Sequence, residues 1–160
     1  MALITTIGAA NADSYATLAE YEARAVVMGW ALADTNAANE INLRRAAMAI
    51  DATYEWVGMK QYQFQARDWP RLVNQLVDGW PIDPDTVPQA IKNAQMEMAY
   101  LIQGGADPLA TYTGGIKRQK VDVIEVEYAG ASGRPRYDAV DRLLSGYVTA
   151  APGQSVMVRA

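Results

Sequence analysis

Two apolar runs of equal pitch constrain this chain more than any other feature. Leu43, Ala47, Ile50, Tyr54 and Val57 are spaced 4, 3, 4, 3, and so are Val87, Ile91, Ala94, Met98 and Leu101. That spacing gathers each set on one side of an α-helix. A helix with such a stripe must bury it, and two stripes of the same pitch can bury each other. The first seam predicts a helix capped by Thr35 or Asn36 and ended by Gly58, with Arg44, Arg45, Asp51 and Glu55 off the seam. The second predicts a helix with Thr86 as cap, Pro88 in the first turn and Gln89 at the capping-box position, ended by Gly104-Gly105.

A shorter helix precedes these two. Thr17 followed by Glu20 is a capping box, in which each side chain satisfies a free backbone N–H of the other. The helix is expected to run to Met28, with Leu18, Tyr21, Ala25 and Met28 on one face and Gly29 as its left-handed stop. Between the two long helices, residues 60–85 carry Trp69-Pro70, Gly79, Trp80-Pro81 and Asp83-Pro84. Residues before proline avoid the helical region, so this stretch reads as loop and turn, with Leu72, Val73, Leu76 and Val77 as a candidate for one or two helical turns.

After Gly114-Gly115 the period becomes two. Ile124, Val126 and Tyr128 alternate with Glu125 and Glu127, the mark of a strand with one wet face, and residues 116–121 supply a partner strand. Val123 and Ile124 break the parity, as at a tight turn or bulge. Tyr137–Tyr147 reads as a short helix with Val140, Leu143, Leu144 and Tyr147 on one face. Beyond it Pro152-Gly153 precedes Val156, Met157 and Val158, an extended tail that wants a partner. The expected fold is mainly α: an antiparallel helical bundle over residues 14–104, an inserted β-ribbon at 116–128, a terminal helix at 137–147 and an extended tail at 148–160, all in a single domain spanning 1–160. A chain of 160 residues with 51 % apolar and 20 % charged side chains suits one globular core.

The chemistry is bounded by what is missing. The chain has no His and no Cys. That excludes disulfides, thiolate nucleophiles, iron–sulfur clusters, Cys-built zinc sites, Ser–His triads and imidazole proton shuttles. No enzymatic activity and no cofactor or metal is expected. A net charge of −4 argues against tight generic nucleic-acid binding, which draws on clustered Lys and Arg. No signal peptide is visible, and no apolar run reaches the roughly 20 residues of a membrane span, so no membrane partner is expected.

Four groups of residues are candidate sites. Asp78, Asp83 and Asp85 read either as a cation cluster or as a Pro-punctuated turn at a helix N-terminus, where the dipole favours negative charge; the absence of EF-hand spacing favours the turn. Lys117, Arg118 and Lys120, followed by Arg134 and Arg136, offer a contact to a polyanion such as DNA, or a solvated ribbon edge that pairs with Glu125 and Glu127. Tyr54, Trp56, Tyr62, Phe64 and Trp69 read as a base-stacking platform or as core. Gly104-Gly105 and Gly114-Gly115 lack any phosphate-loop context. The apolar side of the ribbon (Ile124, Val126, Tyr128), Tyr147 and the tail (Val156, Met157, Val158) are the expected protein contacts, because a two-stranded ribbon and an apolar tail both need covering.

The order of segments carries a resemblance. Asp13-Ser14-Tyr15 leads into Leu18-Ala19-Glu20, a long Ala/Arg-rich helix follows, and then comes Trp69-Pro70-Arg71. The run from Pro81 through Asp83-Pro84-Asp85 to Lys92, the segment Val121–Tyr128, and Arg134-Pro135-Arg136-Tyr137-Asp138 before Leu143-Leu144 complete the pattern. From Asp13 to Val148 this resembles a family of small tailed-bacteriophage and prophage proteins described as DnaT-like single-stranded-DNA-binding proteins, and the broader class of head–tail connector adaptors. Residues 72–80 and the tail depart from the pattern. The adaptor resemblance implies a structural virion protein of the neck: a homo-oligomeric ring, usually twelvefold, between the portal protein and a stopper or other tail-proximal neck protein. The genome would pass through its lumen, and assembly would take place in the host cytoplasm. The other description implies a single-stranded-DNA-binding replication or repair protein. The acidic balance and small basic cluster favour the adaptor, since an acidic or neutral lumen lets DNA slide.

Overall fold

A computed structural model describes residues 2–111, 120–121, 124–125 and 135–150. Helix α1 spans Leu18–Met28. Its capping box forms as expected: Glu20 N–H donates to Thr17 Oγ1 at 3.1 Å, and Thr17 N–H donates to Glu20 Oε2 at 2.7 Å. Gly29 closes the helix at φ 69°, in the left-handed region that a residue with a Cβ resists. Tyr21 and Ala25 are buried, but Met28 is exposed, so the buried face is narrower than its spacing suggests.

Helix α2 spans Asn36–Thr53, with Thr35 accepting the Ala38 N–H at 3.2 Å. It stops well before Gly58. Tyr54 turns to extended geometry (φ −106°, ψ 140°), and Glu55–Trp56 forms β1. The seam nevertheless stays inside: Leu43, Ala47 and Ile50 are buried from the helix, and Tyr54 and Val57 from the strand-like chain that follows. Alternation puts Tyr54 and Trp56 on one side of this extended chain; Val57 is buried at its end, where its N–H donates to Tyr147 O at 3.1 Å, and the chain then turns at Gly58, which adopts φ 70°.

Two short strand pairings follow. Strand β2 (Met59–Lys60) pairs antiparallel with β3 (Arg71–Leu72), and β4 (Leu76–Val77) pairs with β5 (Trp80–Pro81). Asp78 (φ 52°) and Gly79 (φ 84°) form the two-residue turn of the second hairpin; two positive-φ residues in succession match the right-handed strand twist. The expected helical turns at Leu72–Val77 are therefore replaced by strands.

Helix α3 spans Gln89–Gln103 and begins later than expected. Val87 precedes a proline and stays out of the helix, Thr86 Oγ1 donates to Asp83 O instead of capping, and Gln89 Nε2 donates to Asn93 Oδ1. Ile91, Ala94 and Met98 are buried, with Leu101 and Val87 packed at the edge of the core. The chain turns out of α3 at Gly104-Gly105, where Gly105 has φ 97°.

Strands β6 (Lys120–Val121) and β7 (Ile124–Glu125) pair antiparallel, with Lys120 opposite Glu125 and Val121 opposite Ile124, as the ribbon reading requires. Helix α4 spans Asp138–Leu144, shorter than the predicted 137–147, and buries Val140 and Leu144 against α3. The chain then forms β8 (Val148–Ala150), antiparallel to β1. The first three residues of the expected tail thus find a partner within their own subunit; residues 151–160 lie outside the described residues.

The core is a helical centre in which α3 packs against both α2 and α4. Four helices share the described residues with four two-stranded sheets, so the architecture is mixed, with helix packing at its heart, rather than a mainly α bundle.

Candidate interaction surface

Asp13-Ser14-Tyr15 fixes the frame from which the surface projects. Each side chain serves a different element. Asp13 Oδ2 accepts from Arg44 Nε of α2 at 2.7 Å, while its Oδ1 accepts the Ile4 N–H at 2.7 Å. Ser14 Oγ accepts from Gln95 Nε2 of α3 at 2.7 Å. The Tyr15 hydroxyl donates to Asp51 Oδ1 and accepts the Asp68 and Trp69 N–H groups at 3.0 and 3.3 Å. The fully buried Gln95 also takes the Tyr15 and Ala16 N–H groups on Oε1, at 3.0 and 2.9 Å, and donates to Leu43 O at 2.8 Å. A buried amide with all four positions filled locks the N-terminal segment, α2 and α3 together.

Asp51 sits in the same network, 3.3 Å from Arg67 Nη1. Burial dominates its titration and pushes the carboxyl up to about 6; the Tyr15 hydrogen bond and Arg67 oppose that rise, and nearby Asp68 adds to it. Burial and the Asp51 charge raise the Tyr15 hydroxyl well above its usual range. Tyr54 is raised as well, by burial and then by the hydrogen bond it donates to Asp141.

The aromatic residues divide. Tyr54, Trp56, Trp69 and Tyr147 form a chain of ring contacts with centroids 6.2, 5.9 and 5.8 Å apart. Tyr54, Trp56 and Trp69 are buried, which removes them from any base-stacking platform, while Tyr62 and Phe64 stay exposed. Tyr147, expected as a contact between proteins, is half-buried with its ring edge-on to Trp69 of its own chain.

Beyond this frame the two hairpins expose apolar side chains. Met59 and Leu72 are cross-strand partners on β2 and β3, and both are exposed. On β4 and β5, Leu76 is 61 % and Trp80 75 % exposed, and Phe64 of the preceding loop is 76 % exposed. The hairpins are anchored, not loose. Arg71 Nε and Nη2 donate to Val57 O and Gly58 O at 2.8 and 2.7 Å, and Gln75 Nε2 donates to Gly146 O at 3.1 Å. Leu76 lies opposite Pro81 and Trp80 opposite Val77, so Leu76 and Trp80 project from opposite faces of their hairpin. The Asp-Gly turn between Val77 and Trp80 is a sequence signal for this hairpin.

Of the contact residues singled out from sequence, Lys120, Ile124, Arg136 and Tyr147 are among the described residues. Lys117, Arg118, Val126, Tyr128, Arg134, Val156, Met157 and Val158 lie outside the described residues. Lys120 and Ile124 sit on the paired strands β6 and β7, and Arg136 is exposed just before α4. Among the described residues no group of acidic side chains could hold a metal ion; Asp83 Oδ1 instead accepts the Asp85 N–H at 2.9 Å, as the turn reading requires. No helix among the described residues is long and apolar enough to cross a membrane.

A family model described as "Putative DnaT-like ssDNA binding protein" matches residues 1–160, the full length of the chain. The chain belongs to this family. No curated protein and no solved structure matches it. For a family described by single-stranded-DNA binding, the described surface of this member is rich in apolar and acidic groups. Trp56 and Trp69 serve the core, whereas Trp80, Phe64 and Tyr62 are exposed.

Proposed function

We propose that the protein is a structural component of a tailed-phage neck: an adaptor that assembles as a ring on the portal vertex and contacts the tail-proximal neck proteins, with DNA passing through the lumen. The observation that carries this reading is the exposed cross-strand pair Met59 and Leu72 on the first anchored hairpin, with Leu76 and Trp80 exposed on the two faces of the second, apolar groups suited to protein neighbours. The net charge of −4 suits a passage for DNA rather than a grip on it, and no catalytic role is proposed. The segment order that resembles head–tail connector adaptors supports the same reading. Cryo-electron microscopy of tailed particles made by the strain carrying this gene tests it: density for this chain between portal and tail is expected, and its absence from the particles overturns the assignment.

The family description favours a second reading, a single-stranded-DNA-binding protein. Fluorescence anisotropy with a labelled oligonucleotide separates the two. The neck reading expects no binding tighter than micromolar at physiological salt. Tighter binding that disappears when Lys117, Arg118 and Lys120 are changed to Ala would establish the second.

A further inference from the structure

The outer sides of α1 and α2 carry apolar stripes separate from the hairpins. On α1, Ala19, Ala23 and Val26 follow at helical spacing with Val27 beside them, and all are exposed; Val26 and Val27 are 83 % and 84 % exposed. The other side of this helix is fastened inward. Tyr21 and Ala25 are buried, and Glu20 and Arg24 form ion pairs with Lys92 and Glu97 of α3 at 2.8 and 3.9 Å. On α2, Ala37, Ile41, Arg45, Met48 and Ala52 recur at intervals of 4, 4, 3 and 4 and are likewise exposed. Leu43, Ala46, Ala47 and Ile50 fill the inward side of α2. Helices apolar on both sides are those covered on both sides.

The charges beside the stripes select the cover. Glu22 borders the α1 stripe and has no ion-pair partner among the described residues. Arg45 lies within the α2 stripe, 3.7 Å from an exposed Asp107, a surface pair that holds it weakly. Two α1 faces brought together would set Glu22 near Glu22, and two α2 faces Arg45 near Arg45. An α1 face on an α2 face joins opposite charges across an apolar contact.

We propose that the outer face of α1 on one copy of this chain docks on the outer face of α2 on the next. A contact between two different surfaces leaves each copy with one stripe still open, so the association repeats, and it closes as a ring where the rotation between copies completes a full turn. The ring closure rests on the neck reading above, whereas the contact stands on the two stripes.

The chain has no cysteine, so introduced thiols are its only ones. A V26C/M48C double variant treated with a bismaleimide is expected to give a ladder of covalent dimers, trimers and larger products. Mixed V26C and M48C single variants should give dimers, and either alone none. E22R should abolish the ladder, and E22R with R45E in the same chain should restore it. V27C with I41C is a second pair across the same contact, and a melting curve of each variant shows that it is folded. Self-cross-linking of V26C alone, or no product between folded chains for either pair up to the solubility limit, overturns the contact. A ladder from a protein missing from the particles upholds the contact and sinks the neck reading. Incorporation into particles that yield no cross-link sinks the contact alone.

Discussion

Ser14 and Gln95 stand 81 positions apart in the chain, and their side chains meet at 2.7 Å inside the core. Around that contact Gln95 fills its remaining positions with two N–H groups of the N-terminal segment and one carbonyl of α2. Gln95→Leu keeps much of the volume and none of the hydrogen bonds. It leaves the Tyr15 and Ala16 N–H groups buried without acceptors. Each such orphan costs about 1–3 kcal/mol, so the variant should lose about 3–5 kcal/mol in urea unfolding. A loss below about 1 kcal/mol would mean that the amide is not what locks the three elements together.

Asp51 gives the fold a pH dependence of unusual sign. Its folded-state value of about 6 lies above the ordinary 3.8, so folding takes up a proton between those values. The stability this group contributes is full below the ordinary value and is lost as pH rises through about 6. At 1.36 kcal/mol per unit the loss is at most about 3 kcal/mol. Glu20 acts in the opposite direction: Lys92 and the Thr17 cap outweigh its desolvation and lower its titration, so its contribution is lost at acid pH. Asp51→Asn keeps an acceptor for the Tyr15 hydroxyl and removes the titration. Unfolding curves taken from about pH 5 to about pH 7 should fall for the natural chain and stay flatter for the variant. Parallel curves would show that Asp51 titrates normally.

What could be read beforehand was local chemistry. Thr17 with Glu20, and Gly29 behind Met28, announce α1 because capping groups satisfy neighbours three or four residues away. The seam of α3 was legible for the same reason, since Ile91, Ala94 and Met98 lie along one continuous helix. The seam of α2 does not stay helical past Thr53, because Tyr54 reaches the same core from extended backbone. Strand β1 exists only because β8 returns to it from nearly a hundred residues away. Gln95 gave no local sign of its role: its partners come from two other parts of the chain. The hairpin at Asp78-Gly79 is encoded locally, since Asp-Gly between apolar pairs is a strong turn signal, while the neighbouring prolines signal loop.

The hairpin surface should separate folding from assembly. Leu76 and Trp80 are 61 % and 75 % exposed, so changing both to Ser should alter stability by less than about 1 kcal/mol. On the neck reading proposed above, the same double variant should lose incorporation into particles, because an aromatic anchor contributes more than about 2 kcal/mol where it fills a partner's pocket. Circular dichroism melting measures the first effect and protein composition of purified particles the second. Normal incorporation would move the neighbour's contact elsewhere on the chain.

Two truncations test where the fold ends and the tail begins. Strand β8 pairs Val148 with Trp56 and Ala150 with Glu55, and Thr149 Oγ1 donates to Glu55 O at 3.2 Å. Val148 also packs against the core beside Trp56. A chain stopped after Ala150 keeps all of this and should melt with the full-length protein. A chain stopped after Tyr147 strips β1 of its partner and uncovers Trp56, at a cost of about 1–3 kcal/mol and with a red shift in tryptophan emission. Val156, Met157 and Val158 belong to the segment removed in both. If they add a strand to a neighbouring protein, as their run of apolar residues after Pro152-Gly153 suits them to do, the chain stopped after Ala150 should fold yet fail to enter particles. Infectious particles containing that shortened chain would remove the tail from the assembly contacts and leave the helical stripes and hairpins to account for them.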